Sequence, residues 1–314
     1  MLGILLVLPL MFIIIAGNLL RRFGFYQAAD IKTLTRTLYW VILPPLMTRT
    51  IFLSGREVLT QPNLLIGLTV SYIVTIAIAW SGASFVFHRG DRGRIAVSAF
   101  ASMRSNNVYL GFPVMFLAAG NAGLHNSSTY LAVCMISFQF LSIGVAEIIT
   151  SGRITLATLG GILRKLAINP LILSSALGLA LALAGLEKLP GPIDQALELM
   201  GNAATAVALI ALGGTLDLAK FSSLARILRN TWADCIMKLV IHPATMWFML
   251  TVLPVPRPLL QATVMLSSMP SAVNCFILAQ EMKMDGEYAA DLVASTTILG
   301  AISIPLWASL LGLV

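Results

Sequence analysis

The sequence predicts an all-α polytopic membrane protein: ten transmembrane helices in two inverted five-helix repeats, with broken, crossing fourth and ninth helices. Composition is the first observation behind this prediction. Hydrophobic residues make up 58% of the chain and charged residues 11%, with a mean hydropathy of +0.90, whereas soluble domains are about one-quarter charged. The second is a continuous series of apolar spans at 2–20, 37–54, 63–88, 94–118, 129–150, 166–187, 193–216, 231–253, 258–280 and 287–313. These lengths suit helices that cross a hydrocarbon core. The third is that the fourth span of each half is interrupted by polar residues, Gly and Pro.

Taken in order, the first span ends at Arg21-Arg22, with no basic residue before its apolar run and no small-residue cleavage motif. It reads as a helix inserted with its N-terminus outward rather than as a signal peptide. The loops after spans one, three, five, seven and nine then collect fourteen of the twenty Lys and Arg residues, from Arg21 to Lys283. The intervening loops hold Arg56, Lys188 and Arg257, and Arg49, Arg104 and Lys238 fall inside spans. Lys and Arg concentrate in short cytoplasmic loops, so the pattern places both termini outside the cell membrane. The net charge of +7 is a topology signal and not a nucleic-acid footprint. Pro44-Pro45, Pro243 and Pro305 read as ordinary membrane-helix kinks, and Cys134, Cys235 and Cys275 as packing residues without disulfide or metal spacing.

The halves echo one another. Pro9-Leu10, Gly17 and Gly24 recur as Pro170-Leu171, Gly178 and Gly185, and Tyr130, Ser137 and Leu141 recur as Tyr288, Ser295 and Leu299. Five spans per half is an odd number, which requires the second half to sit upside down. The domain organisation is therefore a first repeat at 1–150, a cytoplasmic linker at 151–165 and a second repeat at 166–314.

The interruptions read Ser102 through Pro113, with Asn106, Asn107, Gly111 and Pro113, and Ser267 through Asn274, with Pro270 and Ser271. Unpaired backbone is costly in a bilayer, so broken helices persist only where protein encloses them. Matching breaks in two halves point to the substrate site of a transporter. Half-helix N-termini carry partial positive charge, and no carboxylate flanks either break, so an anion is the expected ligand. Asn106, Asn107, Ser105, Ser271 and Asn274 supply polar groups. Arg104, near mid-span, is a functional candidate because buried charge there is expensive; it either grips a carboxylate or caps helix ends. Gln139 faces the site or bonds between helices. Asp234 and Lys238, four residues apart, form a structural ion pair or line an ion or proton path with His242. His88 and His125 fall in loops. No phosphate-binding loop, zinc-binding helix or nucleophile elbow is present, so neither catalysis nor a cofactor is expected.

At these residues the chain resembles the auxin efflux carrier family, whose bacterial members include malonate and malate permeases. The matches are Leu43-Pro44, Asn106 through Gly111-Phe112-Pro113, Ala211-Leu212-Gly213, Lys238-Leu239 with Pro243, and Met269-Pro270 through Glu281. The resemblance implies a fold like that of bile acid/sodium symporters. It assigns a scaffold, often dimeric, to 1–54 and 166–216, and a transport domain moving elevator-fashion to 63–150 and 231–314. It places the substrate carboxylate at the crossing, in contact with Asn106. Because only residues 151–165 join the halves, the long plant carriers' central loop is missing, and auxin is a poor substrate candidate. The expectation is an inner-membrane secondary carrier for a mono- or dicarboxylate, forming a homodimer through its scaffold helices. A sodium-coupled symporter and a non-transporting membrane sensor are the alternatives.

Overall fold

The computed structural model describes residues 2–54, 61–152, 160–161, 163–164, 167–186, 188–215, 224–272 and 274–314. Most of the expected 151–165 linker lies outside these. The described chain is helical: α1 (Leu2–Arg22), α2 (Ala28–Thr37), α3 (Leu43–Ser54), α4 (Pro62–Gly82), α5 (Arg92–Ala101), α6 (Phe112–Ser151) and α7 (Pro170–Leu183) come first. They are followed by α8 (Gly191–Thr215), α9 (Leu224–Ile236), α10 (His242–Val252), α11 (Arg257–Ser267), α12 (Asn274–Glu281) and α13 (Gly286–Leu310). Four stretches among the described residues are long and apolar enough to cross a membrane by length and composition: Pro62–Phe87, Asn107–Cys134, Ala225–Val252 and Gly286–Leu310. Helix α6 joins what the sequence reads as the end of the fourth span, a loop and the fifth span. It bends at Gly120, whose φ of +58° lies in the left-handed region that glycine alone enters without strain.

Three prolines within the spans are accommodated in the same way. Wide π-helical turns at Leu38–Ile42, Asn107–Gly111 and Met237–Ile241 come immediately before Leu43-Pro44, Phe112-Pro113 and His242-Pro243. In each, the residue before the proline donates its N–H five residues back, to the carbonyl of Leu38, Asn107 or Met237. A proline has no N–H and its ring clashes with the carbonyl four residues earlier. One extra residue in the turn re-registers the hydrogen bonds around it. The kinks expected at Pro44 and Pro243 are thus π-turns of the same kind as the one at Pro113.

Two sets of helices pack closely within themselves and meet each other where α1 packs on α13 and α3 on α6. Helix α1 packs on α8, α3 on both α7 and α8, and α2 on α8; α4 packs on α10, α5 on α6, α6 on α11, α9 on α13, and α10 on α11. Helices α1 and α3 approach α8 and α7 backbone to backbone. A methyl group added at Gly17 would stand 2.2 Å from the Ile210 carbonyl oxygen, and one at Gly178 would stand 2.4 Å from that of Thr48. Small residues permit such close contact between helices that share a non-aqueous environment. Gly17 and Gly178 are partners in the internal repeat, and they make the same contact, first span to seventh and sixth to second. Gly24 and Gly185, also repeat partners, both follow their helices with φ near +80° (+77° and +83°), the left-handed conformation of a helix C-terminus.

The second group is tied across the halves by polar contacts at its edge. Asp285 accepts the Tyr288 N–H at 2.9 Å and the Arg94 guanidinium at 3.0 Å, which links α13 to α5. Burial pushes the Asp285 carboxyl up, but these donors outweigh it and hold the group below the usual carboxylate range.

Gly17→Val and Gly178→Val are each expected to lower stability by about 1–3 kcal/mol, the range for overpacked contacts. Thermal unfolding of the purified protein in detergent checks this, and Gly24→Ala, with open space around it, provides a control for backbone strain without a clash.

Candidate functional site

The two broken helices meet and hydrogen-bond to each other. Helix α5 ends at Ala101 and α11 at Ser267, and the unwound segments after them cross in an isolated antiparallel bridge between Ser105 and Ser271. Asn106 N–H donates to the Pro270 carbonyl at 2.8 Å, and Ala272 N–H donates to the Arg104 carbonyl at 2.9 Å. Ser271 N–H donates to Thr296 Oγ1 at 3.1 Å. The sequence assigns free N–H groups at these breaks to an anion. Three of them are instead consumed by the crossing and by α13, because a buried backbone donor that has a protein partner in reach takes it. Side chains therefore contribute more of the site than the sequence suggests.

Three of those side chains have an atom without a hydrogen-bond partner among the described residues: Asn106 Nδ2, Asn107 Oδ1 and Ser271 Oγ. All three residues are buried, Ser271 completely. Burying polar atoms without a partner is costly, and these donors and acceptor come from both of the crossing segments. Asn107 is held by its other amide atom, Nδ2 donating to Tyr130 Oη at 3.2 Å. Tyr130 Oη in turn shares a 2.9 Å hydrogen bond with Tyr72 Oη. The His242 ring stacks on Tyr72 and bonds Thr75 Oγ1 through Nδ1. His242 thus reaches the crossing through two tyrosines and not by direct contact.

Ser105 is not open to a ligand in the same way. Its hydroxyl donates to the Ser267 carbonyl at 3.0 Å and accepts from Lys238 Nζ at 2.6 Å. Lys238, fully buried, donates also to the Ser267 carbonyl at 2.9 Å. Arg104 is buried as well; its Nη1 donates to Ser142 Oγ at 2.5 Å, and its guanidinium lies 4.8 Å from the centre of the Phe138 ring. The crossing thus has two cationic side chains beside it. Pro270 is seated by Gly300, where an added methyl would come within 2.6 Å of the proline ring. The side chains of Gln139 and Asn274 lie outside the described residues.

The expected Asp234–Lys238 ion pair does not form. Helix α9 gives way to the π-turn between the two residues, and Lys238 reaches the crossing while Asp234 points elsewhere. Asp234 Oδ2 accepts from Ser98 Oγ at 2.6 Å and from Tyr288 Oη at 2.5 Å, and lies 3.5 Å from His88 Nε2. His88 lies in the bend after Phe87, in a loop as expected, with its side chain turned inward and Nε2 3.0 Å from Tyr288 Oη, whereas His125, also expected in a loop, lies within helix α6. Sequence reasoning missed Tyr72, Ser142, Thr296 and Gly300, which are common residue types in apolar spans. Tyr130 and Tyr288 carried a signal in their repeat relation. The structure gives them matching roles, each hydroxyl bonding a residue of the third or eighth span.

Discontinuous helices that cross around unpartnered polar atoms in an apolar helical protein define a membrane transporter. The chain matches the family described as Membrane transport protein over residues 2–308, and it belongs to that family, the auxin efflux carriers. It is an integral, multi-pass membrane protein. A relative from Rhizobium meliloti (strain 1021), named "Putative malonate transporter", is 26% identical over 95% of this chain and 92% of its own. An uncharacterized transporter of Methanothermobacter thermautotrophicus is 27% identical over 97% of each chain.

Gly300→Ala is expected to push Pro270 off its seat and lower the unfolding midpoint, at a cost of about 1–3 kcal/mol. Tyr288→Phe removes a bond to a carboxylate and Tyr72→Phe a bond between neutral hydroxyls. The former is expected to cost about 1.5–3 kcal/mol and the latter about 1, a difference read from denaturation of the two variants side by side.

Proposed function

We propose that this protein is an inner-membrane secondary carrier for a small organic anion, a mono- or dicarboxylate, whose carboxylate binds at the crossing of the two broken helices. The observation that carries this reading is the group of buried, unpartnered atoms Asn106 Nδ2, Asn107 Oδ1 and Ser271 Oγ, beside the Arg104 and Lys238 side chains. Amide and hydroxyl groups donate to a carboxylate, and a nearby cation balances its charge in a low-dielectric site. Asn107 Oδ1 is an acceptor; an amide flip would present a donor there, with the Tyr130 hydroxyl donating to the amide oxygen in its place. The name of the Rhizobium relative favours a small dicarboxylate.

The mechanism we propose is elevator-type. Helices α1–α3, α7 and α8 form the scaffold, and the remaining helices carry the crossing past it, with both termini extracytoplasmic. The shared contacts of Gly17 and Gly178 are consistent with ten helices in two inverted repeats. The crossing bonds itself tightly enough to travel as a unit, so the ligand's surroundings would stay constant during the movement.

Malonate is expected to raise the unfolding midpoint of the wild type. Asn106→Ala is expected to weaken malonate binding about tenfold or more, as loss of a hydrogen bond to a charged group does, while the protein stays monodisperse. Retained affinity in that variant would remove the ligand from the crossing. Binding without uptake into proteoliposomes would favour the sensor reading.

A further inference from the structure

Lys238 stands out among the buried side chains beside the crossing. Its ammonium is fully buried, its two hydrogen-bond acceptors are both oxygens, and no carboxylate pairs with it among the described residues. Asp234, four residues earlier, is engaged with Ser98, Tyr288 and His88. One acceptor, the Ser267 carbonyl, closes the C-terminal end of half-helix α11, where the helix dipole places partial negative charge. The other, Ser105 Oγ, comes from the opposite half and itself bonds that same carbonyl. Carbonyls at the C-terminal ends of broken helices, with neighbouring hydroxyls, are the oxygen ligands that hold a monovalent cation in transporters coupled to one.

We propose that the Lys238 ammonium is a resident cation. It fills with its Nζ the oxygen cage between Ser105 and Ser267 that a sodium ion would otherwise fill, so the anion binds without an external cation. This rests on the anion site proposed above and specifies its charge balance. Tethered to the chain, this ammonium cannot diffuse away as a bound ion does. The cost of burying it is offset by the helix end, the hydroxyl and the ligand's carboxylate together. An ordinary lysine cap on α11 would use the same carbonyl, but it would leave no cation site when removed.

The test compares the wild type, Lys238→Ala and Lys238→Met, purified in detergent, in sodium chloride and in choline chloride of equal ionic strength. The unfolding midpoint and malonate binding are measured in both salts. The wild type is expected to give the same midpoint and the same malonate affinity in each. Lys238→Ala, which opens the cage, is expected to bind malonate about tenfold or more weakly in choline. It should regain part of that affinity in sodium, together with a sodium-specific rise in midpoint. Lys238→Met, which keeps the space filled without charge, is expected to lose affinity in both salts. Sodium-specific stabilisation of the wild type would overturn the proposal. So would an unchanged midpoint of Lys238→Ala between the salts, or wild-type malonate affinity in Lys238→Met. The salt comparison needs no carboxylate. If the wild type binds no malonate, the anion reading fails, and the cage stands or falls on the midpoints alone. If Lys238→Ala is not monodisperse, Lys238→Met decides through malonate affinity.

Discussion

Backbone N–H and C=O groups inside a bilayer need partners from the protein itself, and the two interrupted helices meet that need by pairing with each other. The Asn106 and Ala272 amides reach the Pro270 and Arg104 carbonyls, so each break is the other's hydrogen-bonding partner. Neither break is tenable without its counterpart. The seat of Pro270 against Gly300, the Thr296 hydroxyl on the Ser271 amide and the hold of Lys238 on the Ser267 carbonyl all serve to keep that pairing in place. The polar side chains left over, on Asn106, Asn107 and Ser271, are then held at fixed positions without being used up.

The same constraint explains three of the π-turns. Each of these places its widened register where a proline has removed a donor, so the apolar spans can bend without exposing a carbonyl to lipid; the fourth, Ala83–Phe87, has no proline. At Asn107–Gly111 the turn also forms the start of the helix after the break and aims the asparagines. At Met237–Ile241 it separates Asp234 from Lys238, sending one to the α5–α13 edge and the other to the crossing. Two residues that would be neighbours on a regular helix face thereby serve different places.

Much of the site was legible because its constraints are local. The breaks are visible as Pro, Gly, Ser and Asn in otherwise apolar stretches, and Asn106, Asn107, Ser271, Arg104 and Lys238 follow from polarity alone. The recurrence of Gly17 as Gly178 was legible because the close backbone contact at each position excludes a larger residue. What the sequence did not disclose depends on three-dimensional partners. The Asp234–Lys238 pair was inferred from regular helical spacing, which a π-turn abolishes. The burial of His88 depends on Tyr288 and Asp234, from the other half of the chain. The consumption of the break amides depends on two segments some 160 residues apart becoming adjacent, as Ser105 and Ser271 do. Tyr72 and Thr296 gave no signal because a hydroxyl in an apolar helix is usually satisfied by its own backbone.

The tyrosines that the repeat pairs, Tyr130 and Tyr288, close on different chemistry: Tyr130 meets another phenol, and Tyr288 meets a carboxylate. Hydrogen bonds to ionised groups are roughly twice as strong as those between neutral ones. A duplicated molecule with identical latches at both ends would have no intrinsic preference for opening at either. Here the two tyrosine contacts differ, one to a carboxylate and one to a phenol. In a carrier of the proposed kind, unequal contacts of this sort set the resting poise between the two facings, and one of them, through Tyr130, bonds Asn107 at the crossing itself.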